Sequence, residues 1–117
     1  MALRAWARVI FSAANSPATT ARRGFYAGID TANGRTTFTL SRPIDRTEGC
    51  VLASRIQGVV GTGSPVFGGG GQLSAAVAAA DTTVEVRSYN TAGTLADPVV
   101  GTGFCVAVFD AVGEKRL

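Results

Sequence analysis

The residues that could do chemistry are few in this 117-residue sequence: two cysteines, eight acids, eleven basic residues and no histidine. Without histidine the chain lacks the side chain most used as a general base and the commonest metal ligand. A Ser-His-Asp or Cys-His arrangement within one chain is excluded. Cys50 and Cys105 have no CxxC spacing and cannot complete a four-ligand zinc site without carboxylates. Asp30, Asp45, Asp81 and Asp97 stand in turn-like sequence, where aspartate ordinarily bonds nearby backbone. A glycosidase pair needs two carboxyls held about 5–9.5 Å apart, and no spacing here indicates one. Gly68-Gly69-Gly70-Gly71 is not followed by Lys-Ser/Thr, so it reads as a flexible loop and not as a phosphate cradle. No catalytic, cofactor-binding or metal residue is assigned, and the chain is expected not to be an enzyme.

The elements that would position any site are strands. The length permits one domain, residues 1–117, with a thin core. Hydrophobic residues make up 46% and charged residues only 16%, against about 25% charged in an average soluble domain. So little charge suggests a surface covered by copies of the chain or by a partner. No apolar run reaches the length of a membrane span, and the arginines are scattered instead of forming a nucleic-acid-binding patch. Neither a membrane nor a nucleic-acid partner is expected.

Residues 24–29 are aromatic and β-rich, Asp30-Thr31-Ala32-Asn33-Gly34 has turn chemistry, and Thr36, Phe38 and Leu40 alternate with Arg35, Thr37 and Thr39. These segments predict a hairpin. Residues 42–49 form a polar loop and residues 50–60 are strand-like. Residues 58–71 hold seven of the fifteen glycines and predict an irregular loop. Residues 73–80 fit two helical turns or a strand equally well. Residues 82–89 are a strand, Asn90-Thr91-Ala92-Gly93 a turn, and residues 104–109 a nearly all-apolar strand expected to be buried on both faces. The pattern predicts an all-β fold, an antiparallel β-sandwich or small jelly-roll-like barrel.

The N-terminal segment has two readings. Residues 1–29 are free of acid and carry Arg4, Arg8, Arg22 and Arg23 among Ala, Ser and Thr, the composition of a mitochondrial transit peptide. Residues 5–11 also fit a strand, with Ala5, Ala7, Val9 and Phe11 facing one way and Trp6, Arg8 and Ile10 the other. Asn15-Ser16-Pro17 breaks either element.

More specific motifs occur in order along the chain. Ala5-Trp6-Ala7-Arg8-Val9-Ile10-Phe11 resembles the "AWVNF" opening of a domain common at the C-terminal ends of bacteriophage tail-fibre and related virion proteins. Gly34-Arg35-Thr36-Thr37-Phe38-Thr39-Leu40 is similar to that family's "G-x-Y-T-V-N-F" strand. Arg42-Pro43-Ile44-Asp45 stands where the family has "M-P-D", and Cys50-Val51-Leu52 replaces its "Y-A-V". Residues 84–98, with Asn90, Gly93 and Asp97, resemble "V-x-V-x-T-x-N-x-A-G-x-x-x-D". Val106-Ala107-Val108-Phe109 resembles the closing "V-x-V-F" strand. The resemblance runs from Trp6 to Phe109 and makes the N-terminal segment a first strand. The long glycine loop departs from the family, as does the immediate entry from Met1 into the first strand with no fibre shaft before it.

The resemblance implies a bacteriophage structural protein, assembled in the host bacterial cytoplasm and residing in the virion. The preferred expectation is a capsid decoration or cement protein: a homotrimer contacting the major capsid protein and stabilising the head. Its threefold contacts are expected to bury small Ala and Val faces. The alternative is a short fibre or receptor-binding tip of the tail or head, which would engage tail or baseplate proteins and the host surface. Tyr26 and Tyr89, both expected in or beside strands, mildly disfavour glycan recognition. Arg4, Arg8, Arg22 and Arg23 are the candidate capsid or partner contacts, a solvated basic edge being the other reading. Trp6, Asn33, Gly34, Asn90, Gly93 and Asp97 are expected to be structural, with Trp6 in the core and Asn90, Thr91 and Asp97 clamping the connection into the last strand. Cys50 and Cys105 are expected to be buried thiols, since phage assembly takes place in a reducing compartment.

Overall fold

Strict alternation along the first strand sets the architecture. Ala5, Ala7, Val9 and Phe11 are buried, while Trp6, Arg8 and Ile10 between them are only half-buried, as the two-residue strand period requires. The computed structural model describes residues 2–44, 49–56, 71–77 and 81–110. The strands are β1 (Ala2–Ala13), β2 (Ser16–Arg23), β3 (Ile29–Ala32), β4 (Arg35–Thr39), β5 (Cys50–Ile56), β6 (Leu73–Val77), β7 (Thr83–Ser88) and β8 (Gly103–Asp110). They form two four-stranded antiparallel sheets, ordered β2-β1-β8-β5 and β3-β4-β7-β6, packed as a sandwich.

Four phenylalanines fill the space between the sheets. Phe11 and Phe104 have ring centroids 6.4 Å apart, Phe104 and Phe38 meet edge-on at 6.1 Å, and Phe38 and Phe25 are 5.3 Å apart. This continuous row of tilted rings crosses from one sheet to the other in the offset geometry that aromatic quadrupoles favour. Val9, Val84, Val86, Val106 and Val108 close the core around it. Ala5 and Ala7 are buried in the same core.

Several elements differ from the sequence expectation. The second strand is Ser16–Arg23 and not residues 24–29. It lies at a sheet edge, where Pro17 removes no ladder hydrogen bond the sheet needs. Asn15, at φ 60, turns the chain back from β1. Residues 24–28 connect the sheets and meet β4 and its continuation through the Phe25–Leu40 bridge and the Phe25–Phe38 ring contact. Tyr26 consequently stands in a connection and is 57% exposed. Between the helical and extended readings of residues 73–80, β6 takes the extended one, and its Leu73, Ala75 and Val77 pack on the core. The last strand is buried on one face only: Cys105 is exposed and Ala107 and Phe109 are half-buried. Trp6 is likewise not a core residue, because it shares the outward parity of Arg8 and Ile10.

Cys50 and Cys105 are both exposed and not buried. Cys105 pairs across the ladder with Ser54 and Cys50 with Phe109. Four residues of strand, roughly 13 Å, separate the two thiols, beyond the reach of an intrachain disulfide.

Phe38 and Phe104 are the two interior members of the ring row, each in contact with a ring on either side. Phe38→Ala is expected to lower unfolding stability by about 3–5 kcal/mol, read as a reduced midpoint in urea denaturation.

Candidate functional site

The two ends of the sandwich have opposite characters. At one end, hydrogen bonds tie the turns together. The Gly34 amide donates to Asp97 Oδ1 at 2.8 Å, the Asp97 amide donates to Asn33 Oδ1 at 3.1 Å, and Asn33 Nδ2 donates to the Leu95 carbonyl at 3.4 Å. The Asn33-Gly34 turn of the β3–β4 hairpin is thereby held to the connection that enters β8. Gly34 is required there: its φ is +80°, and a Cβ would stand 2.6 Å from the Ala96 nitrogen and 2.8 Å from the Ser88 carbonyl. Asn90 Oδ1 accepts from the Ala92 and Thr94 amides at 2.9 and 3.0 Å, and Gly93 adopts a positive φ in the same turn.

Ser88, itself buried, joins these parts. Its amide donates to Gly34, its carbonyl accepts from Ala96, and its hydroxyl accepts from Arg55 at 3.1 Å. Arg55 projects from β5 in the first sheet and also donates to the carbonyls of Gly71 at 2.7 Å and Tyr89 at 2.8 Å. One guanidinium thus bonds the edge of the first sheet to the second, and desolvation pushes its pKa below the ordinary arginine value. No local pattern marks this role, because strand periodicity does not say which arginine turns inward.

The aspartates divide. Asp97 does not bond its own backbone but bonds the hairpin turn. Asp30 is the second residue of β3 and lies beside Asp97. Burial, then the Asp97 charge, raise the Asp30 carboxyl above its ordinary value, and a hydrogen bond from the Ala32 backbone opposes them. Asp81 precedes β7 at φ 60, and Asp45 lies outside the described residues, as do residues 57–70 of the glycine loop. The fifth aspartate, Asp110, is buried at the end of β8 with the Arg4 guanidinium 3.5 Å away.

At the other end, Leu3, Arg4, Arg23, Gly24, Leu40, Ser41 and Arg42 line a cleft of about 410 Å³. Arg4 is partly neutralised by Asp110, whereas Arg23 and Arg42 are exposed. Of the four arginines singled out in the sequence, only Arg4 and Arg23 come together. Arg8 Nη1 donates to Thr20 Oγ1 at 2.9 Å on the outer face of the first sheet, and Arg22 Nη1 donates to the Phe25 carbonyl at 2.8 Å. Arg42 completes the cleft and was legible only as part of the Arg42-Pro43 motif. Three arginines lining one cleft suit a carboxylate-bearing partner, which arginine can bind bidentately. Among the described residues no group of three His, Cys, Asp or Glu side chains could hold a metal.

The Asp30–Asp97 pair predicts a pH dependence. The raised Asp30 pKa means that the folded state binds a proton more tightly than the unfolded state. The stabilisation is fully present below the unfolded value, near pH 4, and is lost as pH rises through the folded value. Asp30→Asn is expected to raise the melting temperature at pH 7 by a few degrees, with the difference from wild type vanishing below pH 4. Thermal melts across pH 3–8 check this; an unchanged or lower melting temperature at pH 7 contradicts it. No protein-family model, curated protein or solved structure matches this chain.

Proposed function

We propose that the chain is a bacteriophage structural protein, a homotrimeric decoration protein that binds the capsid and stabilises the head. The observation that carries this reading is where the virion-protein motifs fall. The segments resembling "AWVNF" and "V-x-V-F" are β1 and β8, the two central strands of the first sheet. Those resembling "G-x-Y-T-V-N-F" and "V-x-V-x-T-x-N" are β4 and β7, the central strands of the second. Asn33, Gly34, Asn90, Gly93 and Asp97 then fasten these strands at one end. A resemblance distributed over the paired centre of both sheets is a resemblance of the folding unit and not of one loop.

The cationic cleft gives the reading its contact chemistry. Arg23 and Arg42, with Arg4 held at Asp110, offer an acidic segment of a capsid subunit both charge and two leucine side chains. A receptor-binding tip is the second reading, favoured by the exposed ring of Tyr26, a surface on which a sugar could stack.

Particles lacking the protein separate the two. If it decorates the head, they should adsorb normally but lose infectivity faster on heating, and adding purified protein should restore heat resistance. Loss of adsorption with undiminished head stability would instead establish the receptor reading. Rebinding to bare heads should weaken with salt, and Arg23→Glu combined with Arg42→Glu should reduce it by about tenfold or more, measured by co-sedimentation.

A further inference from the structure

The two long sides of the sandwich are built differently. On one side β2 lies against β3, on the other β5 lies against β6, and each of these strands ends its sheet. β2 carries Pro17 and two register shifts against β1, and β3 is four residues long with a register shift against β4. Such prolines, bulges and short strands keep a sheet edge from pairing with another chain. β5 and β6 have neither proline nor bulge. Their register with β8 and β7 is regular throughout, and their one charge, Arg55, is bonded to the cap.

The core differs between the sides as well. Opposite the buried Val9, Ala7 and Thr36, the first side places Thr19, Arg22 and Asp30, all polar. The second side places Val51, Ala53, Leu73, Ala75 and Val77, which pack on the core yet are only half-buried. Residues at these same positions turn their backbone to the outer edge. The Phe11 amide donates to the Thr102 carbonyl. By antiparallel alternation, Phe104, Val106 and Val108 then bond β1, while Cys105 and Ala107 bond β5. That leaves the N–H and C=O groups of Val51, Ala53 and Arg55 along the outer edge of β5. In the second sheet the Tyr89 amide donates to the Gln72 carbonyl and the Ser88 amide to the Gly34 carbonyl. The same alternation leaves those of Leu73, Ala75 and Val77 along the outer edge of β6. Among the described residues no strand pairs with either edge.

We infer that the β5/β6 side is where a second copy of the chain joins, β5 pairing antiparallel with its copy and β6 with its own about one twofold axis normal to the sheets. Each sheet then continues across the contact, and the two half-open cores close on each other. The pairing is self-complementary. Centred on Ala53 and Ala75, it sets each alanine against its copy, Val51 against Arg55 and Leu73 against Val77, with no like charges opposed. The three edge residues of each strand exchange about twelve main-chain hydrogen bonds with their copies, within the roughly 10 ± 5 of a specific interface. In strand addition such bonds supply the affinity. The β2/β3 side offers a second copy a proline, bulged strands and polar side chains instead. The inference goes beyond the proposed function and takes no copy number from it.

The test is native mass measurement with amide hydrogen exchange on the purified chain and on the double variant Ala53→Pro, Ala75→Pro. Those prolines remove one edge donor at the centre of each pairing and no ladder bond to β8 or β7. Wild type should be an even-numbered species, and the variant should have half its copy number with an unchanged circular dichroism spectrum. The Val51, Arg55, Leu73 and Val77 amides should exchange at least tenfold more slowly in wild type than in the variant. Should the variant not fold, the wild type alone decides. Its four edge amides should then speed up at least tenfold once dilution splits the assembly, while the Val84 and Val106 amides stay slow. A single-copy or odd-numbered wild type overturns the inference, and so does an even-numbered one whose edge amides exchange freely. Slow edge amides in a single copy would mean that the chain's own residues occupy this side, which also overturns it. A three-copy wild type therefore sinks this inference and leaves the homotrimer standing, a two-copy one does the reverse, and a six-copy one holds both.

Discussion

The strand period of two forces every second residue of β1 and β8 out of the sandwich, and in these strands the outward residues are nearly as apolar as the inward ones. Inside, Val9, Phe11, Phe104, Val106 and Val108 meet the second sheet; outside, Trp6, Ile10 and Phe109 meet nothing within the chain's own core. No change of register resolves this, since a one-residue slip would exchange one apolar face for the other and leave one uncovered. The sequence is that of a sheet with two buried faces placed in a chain that has only one sheet to pack against it.

The polar chemistry is sorted to the ends of the sandwich, where it does not compete with burial. At one end Ser88, Arg55 and the Asn33-Gly34 turn convert loose connections into a hydrogen-bonded cap joining both sheets. At the other, Arg4, Arg23 and Arg42 leave positive charge only partly neutralised beside a cleft. The unit thus has an apolar wall, a fastened end and a cationic end, with Leu3 shared between the wall and the cleft.

Much of the fold was legible where one strong pattern governs a segment. The alternation over Ala5–Phe11 and over Thr36, Phe38 and Leu40 depends only on local periodicity, and the observed burial follows it. The edge strand β2 escaped because its Pro17 and its run of small polar residues carry no apolar stripe, which an edge strand does not require. Trp6 and the cysteines lie outside the core for one shared reason: residue type favours burial, but strand parity decides it. Arg55–Ser88 and the Asp30–Asp97 pair depend on contacts between segments 33 and 67 residues apart, which no local pattern encodes.

Imaging intact particles tests the central claim most directly, because it reads location and symmetry together. The account predicts threefold density on the head. Density confined to the tail tip, or head density without threefold symmetry, would contradict it.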